Sequence, residues 1–192
     1  MNETIAKTLI LNKGFPERIV HLDLKGAPLR VDAYRELFPL LHQNGATGLL
    51  IEYEDMFPFT GRLSTLARRN AYSKEDIQQI IQLSTSSNLE VIPLVQTFGH
   101  LEFVLKQPPF TKLSENALEL NTICISNNES WTVITEMIDQ IRSLHQSSTR
   151  IHIGADEAYH VGEDAICREK LKKTFDEHKD SMGVAHIARR VV

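Results

Sequence analysis

The chain has 192 residues, of which 42% are hydrophobic and 24% charged, and its formal net charge is −4. This composition excludes a disordered or fibrous protein, and the length suits one domain with a sizeable core. The small negative charge argues against nucleic acid or an anionic membrane as a partner, and no apolar stretch reaches the ~18 residues of a membrane span. Residues 1–4 lack the features of a signal peptide, so we expect a cytoplasmic protein that is also compatible with the nucleus.

Four short apolar runs rich in Ile, Val and Leu have the length and composition of buried strands. They are residues 19–24, 48–53, 91–96 and 151–154. Pro93 falls in the third run, where it removes one backbone donor from the sheet.

Helical patterns separate these runs. The side chains placed to cap three of the helices are Asp32, Ser73 (in a capping box with Asp76) and Ser130. The first helix is expected to end near Gly45 and to kink at Pro39. Further helical patterns cover residues 164–175 and 182–192. Because strands and helices alternate without a strong hairpin signal, the sequence predicts a parallel sheet with right-handed crossovers.

The two cysteines, Cys124 and Cys167, are far apart in the sequence and lack the spacing of metal ligands. Together with the absence of a signal peptide, this favours two free thiols in a reducing compartment.

Polar residues follow each predicted strand at its C-terminal end, where parallel α/β folds collect their active sites. The four sets are Asp23 with Lys25; Glu52, Glu54 and Asp55; Gln96 with His100; and Asp156, Glu157 and His160. Each residue alone has a structural explanation, such as a helix cap or a solvated turn. Charge next to strands that are buried on both faces is costly unless it is paired or functional, so the repeated arrangement predicts a shared site.

The pair Asp156–Glu157 carries the most specific signal. Gly154 and Ala155 are small and leave space at the C-terminal end of the fourth strand, so a ligand or a neighbouring backbone can approach closely. The run His152-Ile153-Gly154-Ala155-Asp156-Glu157 resembles the His-x-Gly-Gly-Asp-Glu signature of glycoside hydrolase family 20, with Ala155 in place of the second glycine.

Three further segments are similar to the same family. Gln96-Thr97-Phe98-Gly99-His100 is similar to its third-strand segment ending in Gly-His, and Arg18 with Asp23 matches its first-strand arginine and aspartate. Residues 48–58 are similar to the cytosolic branch of the family. The resemblance extends from about Arg18 onward, which leaves residues 1–17 as a lead-in and 18–192 as part of a catalytic domain.

The resemblance implies a fold: the first four βα units of a TIM (β/α)8 barrel. Because such barrels typically need ~250 residues, the chain is expected to be truncated after the fourth unit. In the family, aromatic residues from later strands enclose the sugar. We therefore expect the chain by itself to hydrolyse little or no substrate.

The resemblance also implies an activity, that of a retaining β-N-acetylhexosaminidase acting on terminal N-acetylgalactosamine or N-acetylglucosamine. In this substrate-assisted mechanism the acetamido oxygen of the sugar is the nucleophile. Glu157 would be the general acid and base, with a pKa raised by burial or by a nearby anion, and Asp156 would stabilise the acetamido group. The residues expected to bind the carbohydrate are Arg18, Asp23, Glu54, His100 and His152. No metal or organic cofactor is expected.

Two other hypotheses remain open. The first is a non-catalytic fragment or isoform that acts as an interaction partner of the full-length enzyme, or self-associates as a homo-oligomer, through exposed edge strands. The second is an α/β enzyme that binds Mg²⁺ through the oxygen ligands Asp23, Glu52, Glu54 and Asp156.

Overall fold

The computed structural model describes residues 14–26 and 28–174. The helix predicted over residues 182–192 and most of the lead-in, residues 1–13, lie outside these ranges.

In the described part of the chain, four parallel strands form one sheet in which each strand lies beside its neighbour in sequence. The strands are β1 (Ile19–Asp23), β2 (Gly48–Glu52), β3 (Glu90–Gln96) and β4 (His152–Gly154). All four lie within one residue of the predicted bounds. Pro93, opposite Ile51, does not interrupt β3, because the pairing with β4 begins at Leu94.

Between and after these strands, the described residues form five α-helices. They are α1 (Val31–Gln43), α2 (Lys74–Ser86), α3 (Glu102–Leu105), α4 (Asn128–Leu144) and α5 (Ala165–Thr174). Shorter 3-10 turns cover Glu54–Met56, Gly61–Leu66 and Thr111–Leu113. The short helix α3 was not predicted. None of the helices in the described ranges is long and apolar enough to cross a membrane.

The capping box at α2 is confirmed. The backbone N–H of Asp76 donates to Ser73 Oγ at 3.0 Å, and the backbone N–H of Ser73 donates to Asp76 Oδ2 at 2.9 Å. Two backbone N–H groups at the start of the helix that lack intrahelical partners are therefore hydrogen bonded by the side chains of Ser73 and Asp76.

The other two predicted caps are wrong, because both helices begin earlier than expected. Arg30 occupies the cap position of α1, so Asp32 lies within the first turn, and the helix continues through Pro39. At α4 the cap is Asn127, whose side chain accepts from the backbone N–H of Glu129 at 2.9 Å. Ser130 is buried inside that helix.

The core lies on the outer face of the sheet. Alternate residues of β2 and β3, namely Leu49, Ile51, Val91 and Val95, belong to the hydrophobic cluster that the helices cover. Each fully buried side chain of this size contributes about 1.5–3 kcal/mol. Because successive side chains of a strand point to opposite faces, the intervening residues point to the inner face, which is where the polar side chains collect.

A buried polar pair connects β2 to the end of α4. Tyr53 Oη lies 2.9 Å from His145 Nε2, and His145 Nδ1 lies 2.8 Å from the carbonyl oxygen of Ile141. Burial lowers the pKa of His145, so the ring is neutral and donates from Nδ1 while Nε2 accepts from Tyr53. This pair fixes Tyr53, which stands between Glu52 and Glu54.

Cys124 and Cys167 form a disulfide, so the prediction of two free thiols is wrong. Their Cα atoms lie 6.3 Å apart although 43 residues separate them in the sequence. The fold brings the segment before α4 against α5, and sequence spacing alone does not reveal such a tertiary contact.

Candidate active site

A cleft of about 560 Å³ opens on the inner face of the sheet, at the C-terminal ends of the strands. Its lining includes four of the predicted carbohydrate-binding residues and one of the predicted catalytic pair: Asp23, Glu54, His100, His152 and Asp156. The parallel register brings them together, because Asp23 pairs with Glu52 and Leu94 pairs with His152 at the same level of the sheet.

Glu52 is the centre of a hydrogen-bonded group on the floor of this cleft. Its side chain is 7% exposed, and its two oxygens lie 2.8 Å from His21 Nε2 and 2.6 Å from Gln96 Nε2. His21 was missed at the sequence level. The signal that identifies it is the alternation of β1, which places residues 21 and 23 on the same face.

Glu54 is a buried carboxylate next to a single lysine. Lys25 Nζ lies 3.2 Å from each of its oxygens, and Glu102, at 3.9 Å from the same ammonium, adds a second negative charge. Burial raises the pKa of Glu54 to about 7, against the opposing effect of Lys25. Burial alone would lower the pKa of Lys25, but Glu54 outweighs it and the pKa is raised. Glu54 is therefore present in both protonation states near neutral pH.

The predicted catalytic pair lies at the mouth of the cleft beside His100. The Nε2 atom of His100 is 3.3 Å from Glu157 Oε2 and 3.7 Å from Asp156 Oδ2. The side chains of Asp156 and Glu157 are 68% and 58% exposed, so the burial expected for Glu157 is not found in the described part of the chain. Both residues follow β4, which is one of the two edge strands of the described sheet, and β3 supplies neighbours on one side of them.

Three of the predicted site residues adopt a left-handed backbone conformation that non-glycine residues rarely occupy. The φ angles are 46° at Glu54, 55° at His100 and 44° at Glu157. Such conformations cost on the order of 1–3 kcal/mol each and concentrate at functional sites, where the surrounding structure holds them in place. Each of the three comes shortly after a different strand of the sheet.

The loops after β3 and β4 pack against each other through glycine. A Cβ atom at Gly99 would overlap the carbonyl oxygen of Asp156 and lie 2.8 Å from that of Glu157. Thr97 adds two hydrogen bonds to the carbonyl oxygen of Gly154, from its backbone N–H at 2.7 Å and from its hydroxyl at 3.1 Å. The backbone that carries the predicted catalytic pair is thus positioned by the loop that carries His100.

Gly154 permits a second close approach, to the side chain of Gln96. A Cβ atom there would overlap the side-chain oxygen of Gln96. The space is filled by a neighbouring side chain that also hydrogen bonds to Glu52.

The loop of residues 155–164, which carries Asp156 and Glu157, is also held at its C-terminal end by hydrogen bonds. His160 lies 2.6 Å from Glu119 and 2.8 Å from Glu163, and its hydrogen bonds with Glu163 and then Glu119 raise its pKa. The buried carboxylate of Glu115 accepts from the backbone N–H groups of Gly162 and Asp164, at 3.2 and 3.0 Å.

Arg18 does not lie with the other candidates. It precedes β1, and its guanidinium donates to the carbonyl oxygens of Phe15, at 2.6 Å, and of Gly45, before β2. Because five strand residues span about 16 Å, its side chain lies at the opposite end of the sheet from the cleft.

The four carboxylates of the metal-dependent hypothesis do not converge on one point. Among the residues described, the group of three potential ligands whose donor atoms come within 4.8 Å of one another is Glu115, Cys124 and Cys167, outside the cleft.

The sequence is similar to that of known proteins. The family model described as "Glycosyl hydrolase family 20, catalytic domain" matches residues 21–187. The chain is 49% identical to Hexosaminidase D of Bos taurus over 81% of its own length and 45% of that protein. It is also 49% identical to Hexosaminidase D of Homo sapiens, over 83% of its own length and 33% of that protein. The chain thus spans less than half the length of these relatives.

The fold is that of solved enzymes of this type. The chitobiase of Flavobacterium johnsoniae superimposes with a TM-score of 0.72 over 92% of this chain and 30% of the chitobiase, at 16% identity. The four strands and their crossovers are accordingly part of a TIM-type α/β barrel, and the chain belongs to glycosyl hydrolase family 20.

Proposed function

We propose that the chain carries the catalytic carboxylates of a β-N-acetylhexosaminidase that removes terminal N-acetylgalactosamine or N-acetylglucosamine with retention of configuration. The observation that supports this most directly is the position of Asp156 and Glu157 beside His100, at the mouth of a polar cleft. The 49% identity to two proteins named Hexosaminidase D supports the same assignment.

Glu157 is the general acid and base of the proposed reaction. It gives its proton to the glycosidic oxygen while the acetamido oxygen of the substrate attacks the anomeric carbon, which forms a cyclic oxazolinium and releases the alcohol. The carboxylate then takes a proton from the water that opens this ring. His100, 3.3 Å away, orients the carboxyl group.

Asp156 stabilises the charge that develops on the acetamido group. An ionised carboxylate that accepts a hydrogen bond from the acetamido N–H favours the cyclised form, because the nitrogen becomes positive as the ring closes. In the proposed reaction the protein supplies no nucleophile and no cofactor takes part, and water is the nucleophile only in the step that opens the ring.

The sugar hydroxyls are bound by Asp23, Glu54 and His152, which line the cleft floor and wall, with His100 as a fourth contact. Carboxylates and imidazoles accept hydrogen bonds from hydroxyl groups, and the partly protonated Glu54 also donates one. Arg18 is left out of this set because its guanidinium faces the other end of the sheet.

A cytoplasmic location, or one shared with the nucleus, and a homo-oligomeric state are part of the proposal.

Because the chain by itself is expected to hydrolyse little or no substrate, the acid role of Glu157, like the other kinetic predictions below, is tested in the full-length enzyme. Two substrates that differ in their leaving group are used. Glu157→Gln should lower kcat/KM by roughly 10²–10⁴ on an alkyl N-acetyl-β-hexosaminide, whose leaving oxygen needs a proton. The loss should be smaller on a nitrophenyl glycoside, which departs without one. Asp156→Asn should lose on the order of 10² on both substrates, because its effect does not depend on the leaving group.

Glu75→Gln, an exposed carboxylate on α2, is the matched control. Equal losses on the two substrates for Glu157→Gln would remove its role as acid. Binding of a thiazoline analogue of the cyclised sugar, measured by calorimetry, provides a readout that needs no turnover, and Asp156→Asn should weaken it.

Gly99→Ala tests whether the contact between the two loops positions the catalytic pair. The new methyl group has no room, so the backbone at Asp156 and Glu157 must move, and a displacement of about 1 Å costs on the order of 10² in rate. Gly14→Ala is the control, because a Cβ there meets no atom within 4 Å. Unchanged kinetics and unchanged thiazoline binding in Gly99→Ala would contradict this positioning.

Glu54 should make the stability of the protein depend on pH. Its folded-state pKa of about 7 exceeds the ordinary 4.5, so the folded chain binds more protons between these values. Protonation of Glu54 therefore contributes its full share to the free energy of unfolding below pH 4.5. This share, on the order of 2–3 kcal/mol, is lost as the pH rises through 7. Urea unfolding at pH 5, 6, 7 and 8 should show this loss relative to Glu54→Gln.

Glu36→Gln, an exposed substitution on α1, should retain the wild-type pH dependence. If Glu54→Gln and the wild-type protein have parallel profiles between pH 5 and 8, Glu54 does not titrate near neutrality.

A further inference from the structure

A buried cluster of sulfur and oxygen ligands lies outside the cleft, at the far end of the loop that carries Asp156 and Glu157. It consists of Glu115, Cys124 and Cys167, each no more than 3% exposed. A carboxylate oxygen and the two sulfur atoms lie within 4.8 Å of one another. The proposed hydrolytic reaction uses none of these residues.

Glu115 provides an independent sign that this cluster accepts a ligand. Its Oε2 atom accepts two backbone hydrogen bonds, from Gly162 and Asp164. Its Oε1 atom is buried and has no hydrogen-bond partner among the described residues. An unpaired carboxylate oxygen in such a place is costly, and a cation bound beside it removes that cost.

We propose that, when the Cys124–Cys167 disulfide is reduced, these three residues bind a zinc ion. Two thiolates and one carboxylate are a ligand set that suits Zn²⁺ and does not suit the hard cations Mg²⁺ and Ca²⁺. The fourth ligand would be water or Asp164, whose Oδ1 atom lies 3.4 Å from Cys124 Sγ and accepts from the backbone N–H groups of Ile166 and Cys167. The two sulfur atoms move apart when the disulfide opens, since zinc holds each at about 2.3 Å.

Conversion of the disulfide form into the zinc-bound form requires a thiol reductant. Two thiols of the reductant supply two electrons and two protons; the S–S bond breaks, Cys124 and Cys167 become thiols, and the reductant becomes a disulfide. Zinc then forms two Zn–S bonds and releases the two thiol protons to water.

The site would replace one cross-link by another. The disulfide joins the segment before α4 to helix α5, and the metal would join the same two segments together with Glu115 and Asp164. In both forms the end of the loop 155–164 stays anchored, so the catalytic pair keeps its support in an oxidising and in a reducing medium.

Cobalt titration of the full chain tests the proposal, because Co²⁺ occupies zinc sites and its spectrum reports thiolate ligands. After reduction with a phosphine and removal of oxygen, one Co²⁺ per chain should bind, with a sulfur-to-metal charge-transfer band and the intense visible bands of tetrahedral coordination. One equivalent of Zn²⁺ should abolish these bands. The oxidised chain should show none of them.

Variants assign the ligands. Cys124→Ser and Cys167→Ser should each remove the charge-transfer intensity of one sulfur, and Glu115→Gln should weaken Zn²⁺ binding at least about tenfold. Glu75→Gln, the exposed carboxylate on α2, is the control and should bind as the wild type does.

Two results would overturn the zinc site. One is a reduced wild-type chain that binds no Co²⁺ at micromolar concentration, which needs no variant to fold. The other is undiminished Zn²⁺ binding in the Cys124→Ser/Cys167→Ser double variant, with circular dichroism to compare its fold with that of the wild type.

Discussion

The close contact between Gly99 and the backbone of Asp156 and Glu157 is the constraint on which the site depends. It fixes the distance between the loops after β3 and β4, and therefore sets how near His100 comes to the two carboxylates. A strained backbone at His100 and Glu157 persists because this contact leaves the two loops few alternative arrangements. Next to this contact, the hydrogen bonds of Thr97 with the carbonyl oxygen of Gly154 join the C-terminal ends of β3 and β4.

The cleft has an uneven distribution of charge. The ammonium of Lys25 hydrogen bonds to the buried carboxylate of Glu54. The carboxylate of Glu52 instead hydrogen bonds to the neutral amide of Gln96 and to the ring of His21. Burial, with a smaller effect from the neighbouring carboxylates, raises the pKa of Glu54 to about 7, so this group can both donate and accept hydrogen bonds near neutral pH. This environment supports the proposed carbohydrate substrate, which is neutral and rich in hydroxyl groups.

Local patterns explain which features the sequence predicted. Short apolar runs of Ile, Val and Leu predict all four strands, and because their C-terminal ends meet at one edge, the residues that follow them are expected together. Ser73 was recognised by its reciprocal partner three residues on, whereas Asp32 and Ser130 were misplaced because another residue precedes each as the cap. The Cys124–Cys167 contact and the direction of Arg18 depend on tertiary packing, which spacing along the chain does not encode.

The Cys124–Cys167 bond closes a covalent ring that contains α4, β4 and both proposed catalytic carboxylates. A ring spanning 43 residues restricts the unfolded chain by on the order of 4 kcal/mol in the chain-entropy model. The ring limits how far the chain around β4 can move away from the fold if this edge strand opens. A protease that cut once inside the ring would leave the two pieces joined, so the segment that bears Asp156 and Glu157 would stay attached to the remainder of the fold.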